Sequence, residues 1–391
     1  MLGSPGRPPR TGDAGVTPGE AARWLRAWDS QGAHRTGTEG DEAGAAWLAQ
    51  EAAVLGATAA SEAFALQRID PVATWLEIAG ARIPGVPVFD APPTGADGIA
   101  GTLGPAGSDA AIGVAELSPQ AVYSGAYQAL RRASAHRALV VVCQGAHPGL
   151  GLLNAEQFRA PYGAPAVQVG SEAREAVAAG HGHPARLVAE YRRTAAEARN
   201  VVVALRGSDR SLPPVVVMTP RSSWWQSTAE RGGGLVCWLA CLRALLARPP
   251  ASDVVLTTNS GHELGHLGLD DFLARRPGWQ RAALWLHWGA NLGAAGGGLT
   301  VMSADDGLRA LAAGELAAVG RAADALAPAS QVPSGETRDI HRAGGRYLTL
   351  VGSNPWFHLP QDRWPATVDV PAVERIAAAA AAIAVRLTRP A

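Results

Sequence analysis

The segment Ser260–Asp270, which reads SGHELGHLGLD, decides the fold of this chain. It is preceded by Val254–Thr258, VVLTT, an apolar and β-branched run that is typical of a buried strand. Residues 259–261, Asn-Ser-Gly, are typical turn formers. His262 and His266 therefore follow a strand and a turn, and we do not expect them to lie within one continuous helix.

The letters H-E-L-G-H also match the zinc-binding helix of one class of metalloproteases. That site needs both histidines on one face of a helix that is already running at the first histidine. A subclass also needs a glycine three residues after the second histidine, where this chain has Leu269. We therefore expect a strand-to-helix turn over residues 259–263, with His266 outside any ligand set that includes His262.

The composition indicates a globular protein with more than one hydrophobic core. The chain has 391 residues, of which 47% are hydrophobic and 17% are charged. Lys+Arg and Asp+Glu both number 34, so the formal net charge is zero. Without an excess of positive charge, binding to nucleic acid or to an anionic membrane surface is disfavoured. The three cysteines, Cys143, Cys237 and Cys241, are expected to be buried thiols.

The N-terminus and the hydropathy pattern favour a cytoplasmic protein. Residues 1–16 contain arginines but no apolar run of the kind found in a secretory signal, and we expect a disordered tail there. No uncharged segment reaches the ~18 residues that a membrane span needs. We therefore predict a cytoplasmic location and no membrane partner, and the sequence leaves self-association into a homo-oligomer open.

Three regions follow the tail. Residues 17–70 are expected to form helices that belong to the core, the first of them beginning at the capping box Thr17-Pro18-Gly19-Glu20. Residues 71–196 contain short apolar runs separated by Gly and Pro, which indicates a small β-rich inserted domain. Residues 197–391 alternate apolar strands with helical stretches, which indicates an α/β sheet covered by helices on both faces.

The last region also indicates where a site would lie. Its predicted strands are Val201–Leu205, Val215–Met218, Asp253–Thr258, Ala283–His287, Leu299–Ser303 and Tyr347–Val351, and its predicted helices are Gly234–Ala247, Leu308–Ala325 and Val373–Leu387. In such sheets the reacting groups collect beyond the carboxyl ends of the strands. Segments rich in His, Glu, Trp and Gly follow four of these strands, so we expect them to meet at one edge of the sheet.

The segment His262–Gly268 resembles the strand-end motif of the co-catalytic zinc aminopeptidases, the family that includes bacterial leucyl aminopeptidases, glutamate carboxypeptidase and the transferrin receptor. Members carry Glu-Glu followed by x-Gly-Leu-x-Gly, in which the first Glu is the general base and the second is a metal ligand. Three further stretches are similar to family elements and occur in the same order: His34–Gly40, Asn200–Gly207 and Phe357–Asp369. Residues 71–196 resemble the protease-associated domain that many members carry. The resemblance implies an aminopeptidase-like mixed sheet with an inserted protease-associated-like domain.

Carried over residue by residue, this resemblance implies a reduced metal site. The family's H-x-D element falls on Pro220-Arg221-Ser222, so the first metal loses its histidine and the neighbouring aspartate. His262 stands in the place of the base Glu. The remaining metal-ligand positions fall on Glu230, Glu263, His287 and His358, with Glu230 in place of a bridging Asp.

We therefore predict one zinc ion per chain, with His262 as the group that accepts a proton from a zinc-bound water, since imidazole exchanges protons near neutral pH. The candidate substrate-binding residues beside the ligands are Arg221, Trp224, Trp225 and His266. The predicted activity is hydrolysis of an amide or peptide-like bond in a small substrate. The alternative is a binding or scaffolding protein on the same fold with a lost metal site, for which the transferrin receptor is a precedent.

Overall fold

The computed structural model describes residues 16–17 and 19–389, so residues 1–15 of the predicted tail lie outside the described residues. The helices are α1 (Glu20–Asp29), α2 (Glu39–Val54), α3 (Gly125–Ala133), α4 (Arg174–Ala179), α5 (Thr228–Ala247), α6 (Leu267–Ala274), α7 (Trp279–Ala282), α8 (Asp306–Ala318), α9 (Thr337–Arg342) and α10 (Val370–Leu387). The strands are β1 (Ala60–Ile78), β2 (Ala81–Pro84), β3 (Val86–Pro87), β4 (Ile99–Pro105), β5 (Ile112–Leu117), β6 (Ala138–Cys143), β7 (Ala166–Val169), β8 (Pro184–Leu205), β9 (Val215–Pro220), β10 (Val254–Asn259), β11 (Leu284–Trp288), β12 (Leu299–Met302), β13 (Ala325–Leu326) and β14 (Arg346–Gly352).

A mixed sheet of 14 strands organises the described chain. Its order is β13-β12-β14-β11-β9-β10-β8-β4-β5-β6-β7-β3, with β1 paired to β8 and β2 paired to β1. In its centre, β10, β9, β11 and β14 run parallel to one another, while β8 and β12 flank them in the antiparallel direction. The carboxyl ends of the four parallel strands therefore meet at one edge, as the sequence predicted.

Helices cover both faces of the central strands, because alternate residues of a strand point to opposite sides of a sheet. Val215 and Val217 of β9 lie in a hydrophobic cluster with residues of α1, α2, α5, α8 and α10. Val216 and Met218 of the same strand lie in a second cluster with residues of α6 and α9. This arrangement confirms the predicted α/β fold class with two covered faces.

The predicted elements of residues 197–391 differ from the observed ones mainly at helix ends. The predicted strands correspond to the end of β8 and to β9, β10, β11, β12 and β14. However, α5 begins at Thr228 and not at Gly234, because the glycines before Gly234 belong to the helix. Likewise α8 ends at Ala318 and not at Ala325, and Gly320 beyond it has a φ of 70°, a conformation typical of helix ends.

Two long strands, β1 and β8, are the feature that sequence patterning missed. They pair antiparallel from Ala60 opposite Val202 to Ile78 opposite Ala185. The predicted domain boundaries at residues 70–71 and 196–197 both fall inside these strands. Beyond the boundaries, β1, β4, β5, β6, β7 and β8 contribute to a hydrophobic cluster that includes no residue of the C-terminal region.

Three smaller expectations can be compared directly with the structure. The three cysteines are buried and free. No helix in the described part of the chain is both long enough and apolar enough to cross a membrane. Thr17 donates hydrogen bonds from its backbone N–H and its hydroxyl to Glu20, so the predicted contact between these two residues is present, although α1 begins only at Glu20.

Candidate functional site

The strand-to-helix turn predicted after β10 is confirmed. β10 ends at Asn259, a short 3-10 turn spans His262–Leu264, and α6 follows. Gly261 and His266 have φ values of 85° and 63°. Because left-handed residues interrupt the backbone on both sides of the 3-10 turn, the two histidines do not share one helix and the zinc-helix geometry is excluded.

Glu263, a predicted metal ligand, is held by hydroxyl and backbone donors. One carboxylate oxygen accepts hydrogen bonds from the backbone N–H and the hydroxyl of Thr36, both at 2.7 Å. The other accepts from the hydroxyl of Ser222 at 2.6 Å. Burial raises the pKa of Glu263. No hydrogen bond or ion pair in the described residues joins Glu263 to Glu230 or His358; its contacts are with Thr36 and Ser222.

A second group of side chains, which we name the histidine cluster, consists of His262, His266, His287 and Glu336, all of them buried. His262 donates from Nδ1 to Oε1 of Glu336 at 2.8 Å. The ring centroids of His262 and His266 are 5.3 Å apart. Nε2 of His287 lies 3.4 Å from Oε2 of Glu336. Side chains from the turn after β10 and from β11 thus meet the carboxylate of Glu336, which precedes α9.

Neighbouring residues fix the orientation of two of these imidazoles. His266 donates from Nδ1 to Oδ2 of Asp339 at 2.7 Å. Nδ1 of His287 lies 3.3 Å from the hydroxyl of Thr337. In both rings Nε2 has no hydrogen-bond partner among the described residues, and the same is true of Oε2 of Glu336. Buried polar atoms without partners are uncommon and indicate an absent ligand, ion or water.

The electrostatics of the cluster suit a cation. Burial, followed by the nearby Arg231, lowers the pKa of His262 to about 4, so its imidazole is neutral near pH 7. Burial opposes ionisation of Glu336, but His262 and then His266 bring its pKa well below the usual range. Burial also opposes protonation of His266, yet its hydrogen bond to Asp339 raises its pKa above the ordinary value. A metal ion that bound there would have to displace that proton.

The residues present fit a zinc ion. His262, His266 and Glu336 offer three ligand atoms that all lie within 4.8 Å of one another. Two imidazoles and one carboxylate form a ligand set of catalytic zinc sites, which leave a further position open. Asp339 also provides the carboxylate partner that metal-binding histidines commonly have on their other ring nitrogen. His266, which was expected to stay outside the ligand set of His262, is therefore a member of the best candidate set.

The histidine cluster opens into a cavity of about 280 Å³. His262, His287 and Glu336 line it, together with Asn291 and Asn354 from the loops after β11 and β14. On another side it is lined by Gln120 and Tyr123, which belong to the region predicted as the inserted domain. A second cavity, of about 620 Å³, shares Tyr123 and Ser334 with the first.

A third group, which we name the arginine cluster, consists of Glu230, Arg231 and His358. Nη2 of Arg231 lies 2.8 Å from Oε1 of Glu230, and Nε2 of His358 lies 3.4 Å from the same oxygen. His358 donates from Nδ1 to the carbonyl of Leu152 at 2.6 Å, and Arg231 donates from Nε to the carbonyl of Ser222 at 2.8 Å. The predicted pair Glu230 and His358 is thus brought together, with a guanidinium beside it.

The position of Glu230 follows from how α5 begins. Asp362 accepts hydrogen bonds from the backbone N–H groups of Ala229 and Glu230, at 2.8 and 3.0 Å, and so satisfies donors in the first turn. The glycines that follow allow close packing: a Cβ at Gly233 would lie 1.8 Å from the carbonyl oxygen of Leu292. Glycine inside this helix is therefore explained by packing.

The other predicted substrate-binding residues lie elsewhere. Arg221 is fully buried and pairs with Asp41, with 2.7 Å between Nη1 and Oδ1, so it cannot reach a substrate in the described cavity. Trp224 and Trp225 do line a cavity, of about 550 Å³, but it is lined by Arg35 and not by any member of the histidine cluster. Trp224 donates from Nε1 to Asn154 in the 71–196 region, and Trp225 donates from Nε1 to the backbone carbonyl of His358.

Sequence reasoning missed Glu336 and Asp339. Both belong to the loop and first turn around α9, which follow the short edge strand β13 and not one of the four parallel strands. The signal that could have found them is the run Gly335–Asp339, Gly-Glu-Thr-Arg-Asp, in which two acids three residues apart share one side of a helix start. Gly335 has a φ of 67°, and a Cβ there would be 3.4 Å from Cε1 of His287.

Comparison with solved structures shows which proteins share this fold. A peptidase M28 precursor from Shewanella amazonensis SB2B has a TM-score of 0.75 at 14% identity, over 97% of this chain and 95% of that one. BSAP, a zinc aminopeptidase from Bacillus subtilis, has a TM-score of 0.73 at 17% identity, over 92% and 93% of the two chains. The chain has the aminopeptidase fold. An aminopeptidase from Aneurinibacillus sp. strain AM-1 is similar too, with a TM-score of 0.70 at 13% identity over 95% and 94% of the two chains.

Comparisons with protein-family models and with curated proteins add no support for this likeness. No protein-family model matches the chain, and no curated protein matches it. The aminopeptidase fold is therefore established by the path of the backbone, whereas the chemistry has to be argued from the side chains at the site.

Proposed function

We propose that the chain is a metal-dependent hydrolase of small amide or peptide-like substrates, with one zinc ion held by His262, His266 and Glu336. The observation that carries this proposal is the buried, unpartnered Nε2 of His266, oriented by Asp339 and placed beside His262 and Glu336. A zinc ion bound there would supply a water molecule whose pKa is lowered toward neutrality. The aminopeptidase fold, shared with proteins described as zinc aminopeptidases, supports the same choice of metal.

The proposal moves the proton-accepting role from His262 to His287. His262 is engaged with Glu336 and belongs to the candidate ligand set. His287 lines the cavity, and its Nε2 has no partner in the described structure. An imidazole in that place can accept a proton and pass it to a leaving amine. The hydroxyl of Thr337 beside Nδ1 holds the ring in position.

The cavity indicates a small substrate. Its volume of about 280 Å³ lies near the lower end of the range for small-molecule sites. Oδ1 of Asn291, at its wall, has no hydrogen-bond partner among the described residues and can accept from the N–H of a substrate amide. The adjoining cavity beside Tyr123 could take a larger group attached to that amide.

The test uses protein purified without a metal-binding tag, stripped with a chelator and reloaded with zinc. A panel of aminoacyl anilides and N-acyl amino acid amides is offered to the wild-type chain and to the Glu336→Gln variant. We expect hydrolysis that depends on zinc, and a loss of at least about 100-fold in kcat/KM for Glu336→Gln, since even the outer partners of metal ligands contribute 10–100-fold.

Glu263→Gln is the matched control, because Glu263 is an equally buried acid one residue from His262 that lies outside the cluster. We expect this variant to keep its zinc. Hydrolysis that survives both chelation and Glu336→Gln would contradict the proposal.

A second function, binding or scaffolding without chemistry, is favoured by one observation. The position that Glu230 and His358 share is already occupied by the guanidinium of Arg231, and Glu263 is satisfied by hydroxyls. Partners of this kind in place of metal ions are expected in a protein that has lost catalytic activity. Elemental analysis separates the two: less than about a tenth of an equivalent of transition metal per chain after zinc addition would leave only the binding protein, because catalytic zinc sites bind near stoichiometrically.

A further inference from the structure

Arg231 is a buried cation that the proposed reaction does not use. Its side chain has no exposed surface. Nη1 and Nη2 have no hydrogen-bond partner within the described chain, although Nη2 lies 2.8 Å from the carboxylate of Glu230. Taking a guanidinium out of water is costly unless its charge is balanced. Its partner is therefore the negative charge of Glu230, which sits one residue away at the start of α5.

Glu230 and His358 would form a cation site without that guanidinium. Neither carboxylate oxygen of Glu230 accepts a hydrogen bond from a described residue. His358 donates from Nδ1 to a backbone carbonyl, so its Nε2 is the ring atom that faces Glu230, at 3.4 Å. When the ring is neutral, that nitrogen presents a lone pair, and a lone pair and a carboxylate that face each other repel unless a cation lies between or beside them. His358, oriented by a backbone carbonyl, and Glu230 are thus two side chains of the kinds that bind metal ions.

We propose that Arg231 is a built-in cation that replaces a metal ion at Glu230 and His358 and thereby limits the chain to the single ion of the histidine cluster. The guanidinium carries a permanent charge and cannot be removed by a chelator. This inference rests on the proposed function only where it assumes that the wild-type chain binds one zinc ion.

The experiment counts zinc by native mass spectrometry and calorimetry in three chains. Arg231→Met keeps the length of the side chain and removes its charge, so Glu230 and His358 become free to bind zinc. We expect Arg231→Met to hold one more equivalent than the wild-type chain. The double variant Glu230→Gln/Arg231→Met is the matched control, and it should lose that extra equivalent because its carboxylate is gone.

Arg231→Met leaves a buried charge unbalanced, so this variant is also refolded with and without zinc. We expect zinc to restore its folding or to raise its melting temperature, and the double variant to be insensitive at this position. The inference is overturned if folded Arg231→Met binds the same number of zinc ions as the wild-type chain. It is also overturned if zinc does not restore the folding of Arg231→Met while the double variant folds. If the wild-type chain binds no zinc and the Arg231→Met chain binds one equivalent, the proposed hydrolase function is wrong but the proposed role of Arg231 holds.

Discussion

The histidine cluster and the arginine cluster lie at the same edge of the sheet and differ in how the charge of a buried carboxylate is balanced. Both place a buried carboxylate, Glu336 or Glu230, near an imidazole, His287 or His358, whose Nε2 has no hydrogen-bond partner among the described residues. The arginine cluster contains its own cation, whereas the histidine cluster contains none with a permanent charge. The difference teaches that a buried acid next to a histidine is not by itself a metal site; what matters is whether the chain already provides the balancing charge.

The largest expected effect tests the arginine cluster. Arg231→Met should lower the free energy of unfolding by about 3–5 kcal/mol, because it leaves Glu230 buried without its partner. Glu230→Gln/Arg231→Met should recover most of that loss, since no charge remains unbalanced. Chemical denaturation in the presence of a chelator measures both variants. A change below about 1 kcal/mol in the single variant, as is usual for exposed ion pairs, would mean that the pair is solvated.

The next effect tests the histidine cluster. His266→Ala should weaken zinc binding by at least about 100-fold, because a ligand contributes more than the outer partners, which contribute 10–100-fold. His358→Gln, in the arginine cluster, should change zinc affinity by less than about threefold, well below the contribution of such a partner. Calorimetry with zinc on both variants compares the clusters directly. If His358→Gln, and not His266→Ala, loses the zinc ion, the assignment of the metal to the histidine cluster is wrong.

Asp339→Asn is expected to have an intermediate effect. Asp339 accepts a hydrogen bond from Nδ1 of His266, and its pKa is lowered because that hydrogen bond offsets the opposing effect of burial. Loss of this carboxylate should weaken zinc binding by roughly 10–100-fold through the orientation of the ring. Asp271→Asn is the control, because Asp271 lies on α6 and pairs with Arg275 at the end of that helix. Equal zinc affinities for the two variants would show that Asp339 does not position His266.

The smallest effect separates Glu263 from both clusters. Ser222→Ala removes a 2.6 Å hydrogen bond to the buried carboxylate of Glu263 and should cost about 1–3 kcal/mol of stability. The number of zinc ions should not change, since Ser222 and Glu263 bind Thr36 and the turn at Gly261 rather than a metal. Thermal unfolding gives the first quantity and mass spectrometry the second. A lost ion in this variant would return Glu263 to the ligand set.

Much of the fold could be predicted from residues 197–391 because their buried strands are uninterrupted apolar runs. Val215–Pro220 and Val254–Asn259 were located within two residues of their observed ends. The long ribbon of β1 and β8 could not be predicted, because its partly exposed strands carry charged residues and lack a continuous apolar pattern. The pattern places the start of α5 too late because Gly232–Gly234 resembles a loop until the close packing of these glycines, such as Gly233 against Leu292, is known.

The candidate site could be predicted only in part, for a physical reason. Residues in the segments that follow the parallel strands, such as His262 after β10 and His358 after β14, are brought to the sheet edge by the fold itself, so the strand pattern indicates where they lie. Glu336 arrives from a loop whose position depends on tertiary packing. The role of Arg231 depends on a rotamer that places its guanidinium against Glu230, and sequence does not reveal rotamers.

The central claim is that a single zinc ion binds in the histidine cluster while Arg231 closes the arginine cluster. Anomalous diffraction at the zinc absorption edge, from crystals of the wild-type chain grown with zinc, tests this most directly. The account predicts one strong peak within bonding distance of His262, His266 and Glu336, and none between Glu230 and His358. A peak between Glu230 and His358, or one bonded to Glu263, would contradict it.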